Sequence, residues 1–172
     1  ALRARYPFPV IGMEPAVKPA LKQTSTNKVL VCATEKTLKE TKLSHLIQQL
    51  NAESKVDKLS LQQLVLLAEK GLFETPEVRI YLETAFKEIN WQEYDALVLG
   101  CTHFLYYKNL IKRMIPATVS IVDGHQGTVQ QLQRCLIQTE QTNQGSLDFY
   151  TSQKRESNQL LEPFFNRIRS FI

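Results

Sequence analysis

Glycine is scarce in this sequence, with six among 172 residues. That is few for a complete nucleotide-binding α/β protein, and the familiar glycine fingerprints are missing. No GxGxxG, no Walker A loop and no GxSxG elbow occurs, which argues against a dinucleotide, a nucleoside triphosphate or a serine-hydrolase site. There are three cysteines, Cys32, Cys101 and Cys135, too few and too scattered for a disulfide scaffold. None lies in a CxxC pair and no Cys/His spacing suggests zinc, so no metal is expected. A reducing, cytoplasmic compartment is the natural setting. Apolar runs stay well short of the roughly 18–20 residues that cross a bilayer, so no membrane partner is expected. The net charge of +4 is a mild bias, and no basic cluster is longer than two residues (Lys112-Arg113, Lys154-Arg155). A nucleic-acid protein carries a basic stripe interleaved with aromatics, and none is expected here.

What is present is an ordinary globular composition, with 43% hydrophobic and 22% charged residues. Lys28–Ala33 and Asp95–Leu99 are continuous apolar runs, as in strands buried on both faces. Phe8–Gly12, Val56–Leu59, Val119–Val122 and Leu147–Tyr150 are shorter strand candidates. Helical patterning fills much of the rest: a short segment in 13–21 limited by two prolines, 35–50, from a Ser60 cap to Lys70 with Gly71 as the stop, Pro76 to Ile89, from His103 to Met114, 128–138 and 153–171. Residues 138–145 read as a polar linker. Ala1–Arg5 reads as the tail of a helix. Alternating strands and helices predict an α/β fold with a largely parallel sheet flanked by helices.

Ligands of such sheets bind beyond the carboxyl ends of the strands, which selects Thr34, Gly100–His103 and Asp123–Thr128. Gly100 permits a tight turn off the strand. Cys101 would then open the next helix, where the positive end of the helix dipole lowers a thiol's pKa. His103 could bind a substrate group or stabilise the thiolate. The plainer reading makes Cys101 a small buried side chain and Thr102 a helix cap. Cys32, in mid-strand, reads as core, and Cys135 as helix packing. Thr34 either presents its hydroxyl to a ligand or caps the following helix. Glu69, near a helix C-terminus, is either functional or simply solvated. Asp123 and His125 either help close the pocket or form a turn that needs no ligand to explain it.

Three stretches together resemble the glutamate racemases of the aspartate/glutamate racemase superfamily. They are Pro9-Val-Ile-Gly-Met-Glu-Pro-Ala-Val-Lys-Pro-Ala20, Val29–Thr34 with Thr37, and Leu97-Val-Leu-Gly-Cys-Thr-His103. The resemblance implies that Cys101 is one of two catalytic thiols, that Thr34 and Thr102 help bind the amino acid, that His103 assists the thiol and that Glu69 is an assisting carboxylate. The stretch around Glu69 departs from the family, with Leu61-Gln62 and Leu66 where Cys-Pro and a proline are usual, and Phe104-Leu105 stands for the usual Tyr-Pro. The family interconverts L- and D-glutamate without cofactor, for peptidoglycan synthesis, and its members are often homodimers. Inversion without pyridoxal phosphate needs one base on each face of Cα, and thiols suit because both protonation states are reachable near neutrality.

The family's first-half motifs, a Gly-rich GDSGxGG stretch, a PYG loop and the CNT motif with the other thiol, do not occur in this sequence. The expectation is therefore a C-terminal two-thirds: residues 1–8 ending a first domain, 9–123 forming one complete racemase-type domain, and 124–172 packing back as part of the incomplete one. Such a chain alone is expected to be inactive. Two other readings stand beside it: a related racemase or decarboxylase acting on aspartate or an arylmalonate, and a non-catalytic α/β binding module with an inert Cys101.

Overall fold

The computed structural model describes residues 2–13, 15–24, 27–136, 148–150, 155–156 and 158–169. Two units separate by their internal contacts, Ala1–Arg134 and Cys135–Ile172.

The first unit is built on a four-stranded sheet of order β2-β1-β3-β4 with every pairing parallel. Its strands are β1 (Lys28–Ala33), β2 (Val56–Ser60), β3 (Tyr94–Leu99) and β4 (Ser120–Asp123). The two continuous apolar runs are the central strands, in register at Leu30↔Leu97, Val31↔Val98 and Cys32↔Leu99. Successive side chains of a strand point to opposite faces, so each central strand feeds two cores. Leu30, Cys32, Leu97 and Leu99 face α5 (Gln62–Glu69), α6 (Pro76–Phe86) and α7 (Lys108–Met114), packing with Leu64, Leu67, Leu82, Leu110 and Ile111. Val29, Val31, Ala96 and Val98 face α2 (Val17–Gln23) and α4 (Thr41–Gln49), with Val17, Ala20, Leu43 and Ile47. This is the expected α/β sheet covered on both faces. A polar network ties the amino ends of the strands. Lys28 Nζ pairs with Asp57 at 3.2 Å, the Tyr94 hydroxyl donates to Asp57 at 2.8 Å, and Asn27 donates to Asp95 at 2.9 Å. The carboxyl ends are left for chemistry.

Several local expectations are corrected. Phe8–Gly12 is not a strand but irregular chain after α1 (Leu2–Arg5). Pro9 has no N–H to donate to a ladder, and Phe8 is exposed. The helix expected over 35–50 is two helices, α3 (Glu35–Lys39) and α4, parted by an extended Glu40. α3 buries no residue fully, whereas α4 buries Leu43 and Ile47, so the turn at Glu40 lets α4 reach the sheet. Ser60 does not cap α5; it ends β2 paired to Ala33, and the Leu61 N–H donates to the Ala33 carbonyl at 3.0 Å. Gly71 does stop the helix, with φ of +72°. α6 ends at Phe86 rather than Ile89. The helix expected from His103 opens as a 3-10 turn over Thr102–Tyr107 and becomes α7 only at Lys108. The helix expected at 128–138 is α8 (His125–Cys135), begun early by the Asp123 carboxylate accepting the His125 N–H at 2.9 Å.

In the second unit, β5 (Phe149–Tyr150) pairs antiparallel with β6 (Arg155–Glu156), and Arg155 bonds Asp148. β5 is thus one strand of an antiparallel pair and no member of the parallel sheet. The terminal helix, α9, runs Asn158–Arg169, inside the expected 153–171. Leu147 and the linker at 138–145 lie outside the described residues.

Candidate active site

The carboxyl ends of β1, β3 and β4 open onto one side of the sheet. β3 ends at Leu99, and the chain must pass close to the end of β1 as it leaves. The Gly100 N–H donates to the Cys32 carbonyl at 2.7 Å. A Cβ on Gly100 would stand 3.0 Å from that carbonyl oxygen and 3.1 Å from the Ala33 Cβ. Glycine is favoured here by a close approach, not by an unusual dihedral.

That approach sets Cys101, extended at φ −134° and ψ 139°, at the head of the 3-10 turn. Its side chain is partly buried. Burial pushes the thiol above its ordinary range, and the nearby backbone N–H groups of His103 and Phe104 pull the other way; the Phe104 N–H donates to the Cys101 carbonyl at 3.1 Å. The depressed pKa expected from a helix dipole is therefore not what this environment produces: the following turn is a short 3-10 segment, and desolvation is the larger influence. His103 Nδ1 lies 3.8 Å from the Cys101 sulfur, and its ring meets Tyr106 edge-on at 6.5 Å.

Cys101 lines a cleft of about 200 Å³. From the β3 side the lining also includes Gly100, Thr102 and Leu105, and from the N-terminal segment Met13 and Pro15. Thr37 and Glu40 come from the end of α3. Asp123, Gly124 and His125 come from the β4–α8 turn. Asp123 is held at both oxygens, by the His125 N–H at 2.9 Å and by Lys108 Nζ at 2.8 Å.

The sequence-predicted residues separate accordingly. Cys101 and Thr102 are together in the cleft, with His103 against the thiol. Thr34 caps α3, its Oγ1 accepting the Thr37 N–H at 3.3 Å and lying 3.0 Å from Thr37 Oγ1; Thr37, not Thr34, reaches the lining. Glu69 is exposed at the end of α5 and does not line the cleft. Cys32 is fully buried, and burial drives its thiol far above the ordinary range. No other cysteine lines the cleft. Sequence reasoning missed Glu40 and Lys108. Glu40 sits inside a helical pattern that gave no sign of the break, and Lys108 is fifteen residues from its partner. Among the described residues, no three His, Cys, Asp or Glu side chains gather as a metal site needs, and no helix is long and apolar enough to cross a membrane.

Residues 1–132 match the profile of the Asp/Glu/Hydantoin racemase family. The chain belongs to that family. A glutamate racemase of Halothermothrix orenii is 42% identical over 163 residues, covering 92% of this chain and 64% of the relative. Glutamate racemase 2 of Bacillus subtilis is 37% identical over 155 residues, covering 88% and 58%. Among solved structures, Escherichia coli glutamate racemase, in complex with L-glutamate and the activator UDP-MurNAc-Ala, superposes with a TM-score of 0.67 at 28% identity, covering 78% of this chain and 51% of that one. The chain thus spans between half and two thirds of the length of these racemases. Over the matched half of the Escherichia coli enzyme, the shared fold is that of the sheet and helices described above.

Proposed function

We propose that this chain is the C-terminal two-thirds of a glutamate racemase, divided as 1–8, 9–123 and 124–172, with Cys101 as one of two thiols that interconvert L- and D-glutamate. The observation that carries the proposal is the Gly100–His103 segment, which sets a partly buried thiol into a cleft at the carboxyl end of the parallel sheet, in a family member whose curated relatives are glutamate racemases.

Cys101 acts on one face of Cα. A thiol held above its ordinary pKa is protonated at neutrality, which suits it to deliver a proton as the opposite base removes one. The nearby backbone N–H groups of His103 and Phe104 then favour the thiolate that remains. Thr102 binds the amino acid, as does Thr34 together with Thr37, and His103 steadies the charge on the thiol. Glu69 is the assisting carboxylate of this reading, from the outer end of α5. Donors around the α-carboxylate stabilise the enolate-like transition state. In this reading the second thiol lies outside these 172 residues; the cleft lining, in which Cys101 is the cysteine, is consistent with that. No cofactor takes part. The enzyme works in the cytoplasm and feeds peptidoglycan synthesis.

Thiol alkylation tests this. Glutamate, and aspartate much less, should slow iodoacetamide labelling of Cys101 without changing that of Cys135. The 172-residue chain by itself should leave the optical activity of L-glutamate unchanged. Labelling of Cys101 that glutamate does not slow would instead favour a binding module with an inert thiol. Turnover by the isolated chain would remove the need for a second thiol from elsewhere.

A further inference from the structure

The cleft carries an ion pair that the racemase reading leaves without a role. Asp123 ends β4 with its side chain 10% exposed, and its Oδ2 lies 2.8 Å from Nζ of Lys108, itself 37% exposed. Lys108 is the first residue of α7, directly after the six-residue 3-10 turn that Cys101 heads. The pair therefore joins the connection carrying the thiol to the turn carrying His125, and the Asp123 Oδ1 fixes that turn through the His125 N–H. The charged and titratable groups lining the cleft are Glu40 from the α3–α4 turn, Asp123 and His125 from the β4–α8 turn, and Cys101, with His103 beside the thiol. Without Lys108, two carboxylates would line a small cleft with nothing described here to balance Asp123.

We propose that Lys108 and Asp123 are a positioning pair that balances charge in the cleft, so that an anionic substrate can approach Cys101. Lys108 cancels the Asp123 carboxylate, and the bond to His125 holds that carboxylate in the turn. The role as a gate for substrate rests on the racemase reading; the charge balance at the thiol does not.

Two alkylating reagents of nearly equal size separate charge from looseness. Iodoacetate is an anion and iodoacetamide is neutral, and the ratio of their rates at Cys101, followed by peptide mass spectrometry at low salt, reports the local potential. Lys108→Met should lower the iodoacetate-to-iodoacetamide ratio about three- to fivefold, as expected when Asp123 on the wall of a partly solvated cleft loses its counter-charge. Asp123→Asn, which leaves Lys108 uncompensated, should raise it by a similar factor. Lys108→Arg should keep the wild-type ratio, and added salt should compress both changes. A loosened fold alters both reagents together and leaves the ratio alone, so a merely structural role gives no change. Ratios within about 1.5-fold of wild type in both variants, or shifts of the same sign, would overturn the proposal. If Lys108→Met does not fold, the Asp123→Asn and Lys108→Arg ratios decide it by the same criteria. Failure of the racemase reading shows separately, as Cys101 labelling that glutamate does not slow, with these ratios still measurable.

Discussion

Gly100→Ala is the perturbation whose cost follows most directly from the geometry. The added methyl would meet the Cys32 carbonyl oxygen at 3.0 Å, the Ala33 Cβ at 3.1 Å and the Pro15 Cβ at 3.6 Å. The first two contacts are tighter than nine in ten Cβ contacts, so their neighbours must give by a few tenths of an ångström, and neither partner is the end of a flexible chain. The oxygen belongs to β1, which pairs with a strand on each side, and it also accepts the 2.7 Å bond from the Gly100 N–H. Relief requires β3 and β1 to part at their carboxyl ends, stretching that bond. Overpacking of this kind costs about 1–3 kcal/mol. Taking about 2 kcal/mol, and a melting shift of about 2–4 °C per kcal/mol for a chain of this size, Tm should fall by about 4–8 °C. Gly127→Ala is the internal control. A Cβ there meets nothing within 4 Å, and the residue lies in α8, so the change should stabilise by up to about 1 kcal/mol through helix propensity. Thermal unfolding followed by circular dichroism reads both. A Gly100→Ala protein melting within about 1 °C of wild type would mean that the crowding at the β3 exit is not real, and with it the argument for how Cys101 is aimed.

Two further outcomes are expected. Tyr107 is fully buried, and its hydroxyl is shared between the Leu64 and Leu72 carbonyl oxygens at 3.0 and 2.9 Å, so Tyr107→Phe should lose about 1–3 kcal/mol in urea unfolding; an unchanged midpoint would mean that water or backbone rearrangement satisfies those carbonyls. Burial raises the Cys101 pKa, so at neutral pH a smaller fraction is thiolate than in a free thiol; its iodoacetamide rate should start below that of glutathione and keep rising with pH past the free-thiol inflection, whereas an inflection below neutrality would show that the backbone donors outweigh desolvation.

The parts of the fold that were legible in the sequence are those where burial is two-sided. Lys28–Ala33 and Asp95–Leu99 could be read because a strand covered on both faces must be apolar throughout, and few other environments ask for such a run. Phe8–Gly12 has a similar composition but no neighbour to pair with, and pairing is a property of the whole sheet. The break at Glu40 was hidden for a related reason. Leu38, Leu43, Leu46, Ile47 and Leu50 keep a helical spacing across it and all contribute to one core, so the pattern records which face is buried without recording that the helix turns. Ser60 carries a good capping side chain, but the ladder to Ala33 reached it first.

The site was legible where sequence and structure share a local cause. A glycine directly after a buried strand, followed by Cys-Thr-His, places a thiol at a carboxyl end, and that holds. The behaviour of the thiol was not local. Its expected activation rested on the helix that follows, but a macrodipole needs aligned peptides over several turns, and the first six residues after Cys101 form a 3-10 segment before α7 begins. What remains at the sulfur is the pull of two nearby backbone N–H groups set against burial, in a cleft that the β4–α8 turn and the N-terminal segment around Pro15 help to line. The same holds for the charge in the cleft. Glu40 and Asp123 reach it from turns more than eighty residues apart, and the cation that offsets Asp123 begins a helix fifteen residues earlier in the chain. A reactive group can thus be found from its immediate neighbours in sequence, while its protonation state and the charge of the ligand it admits are set by residues that only the folded sheet brings together.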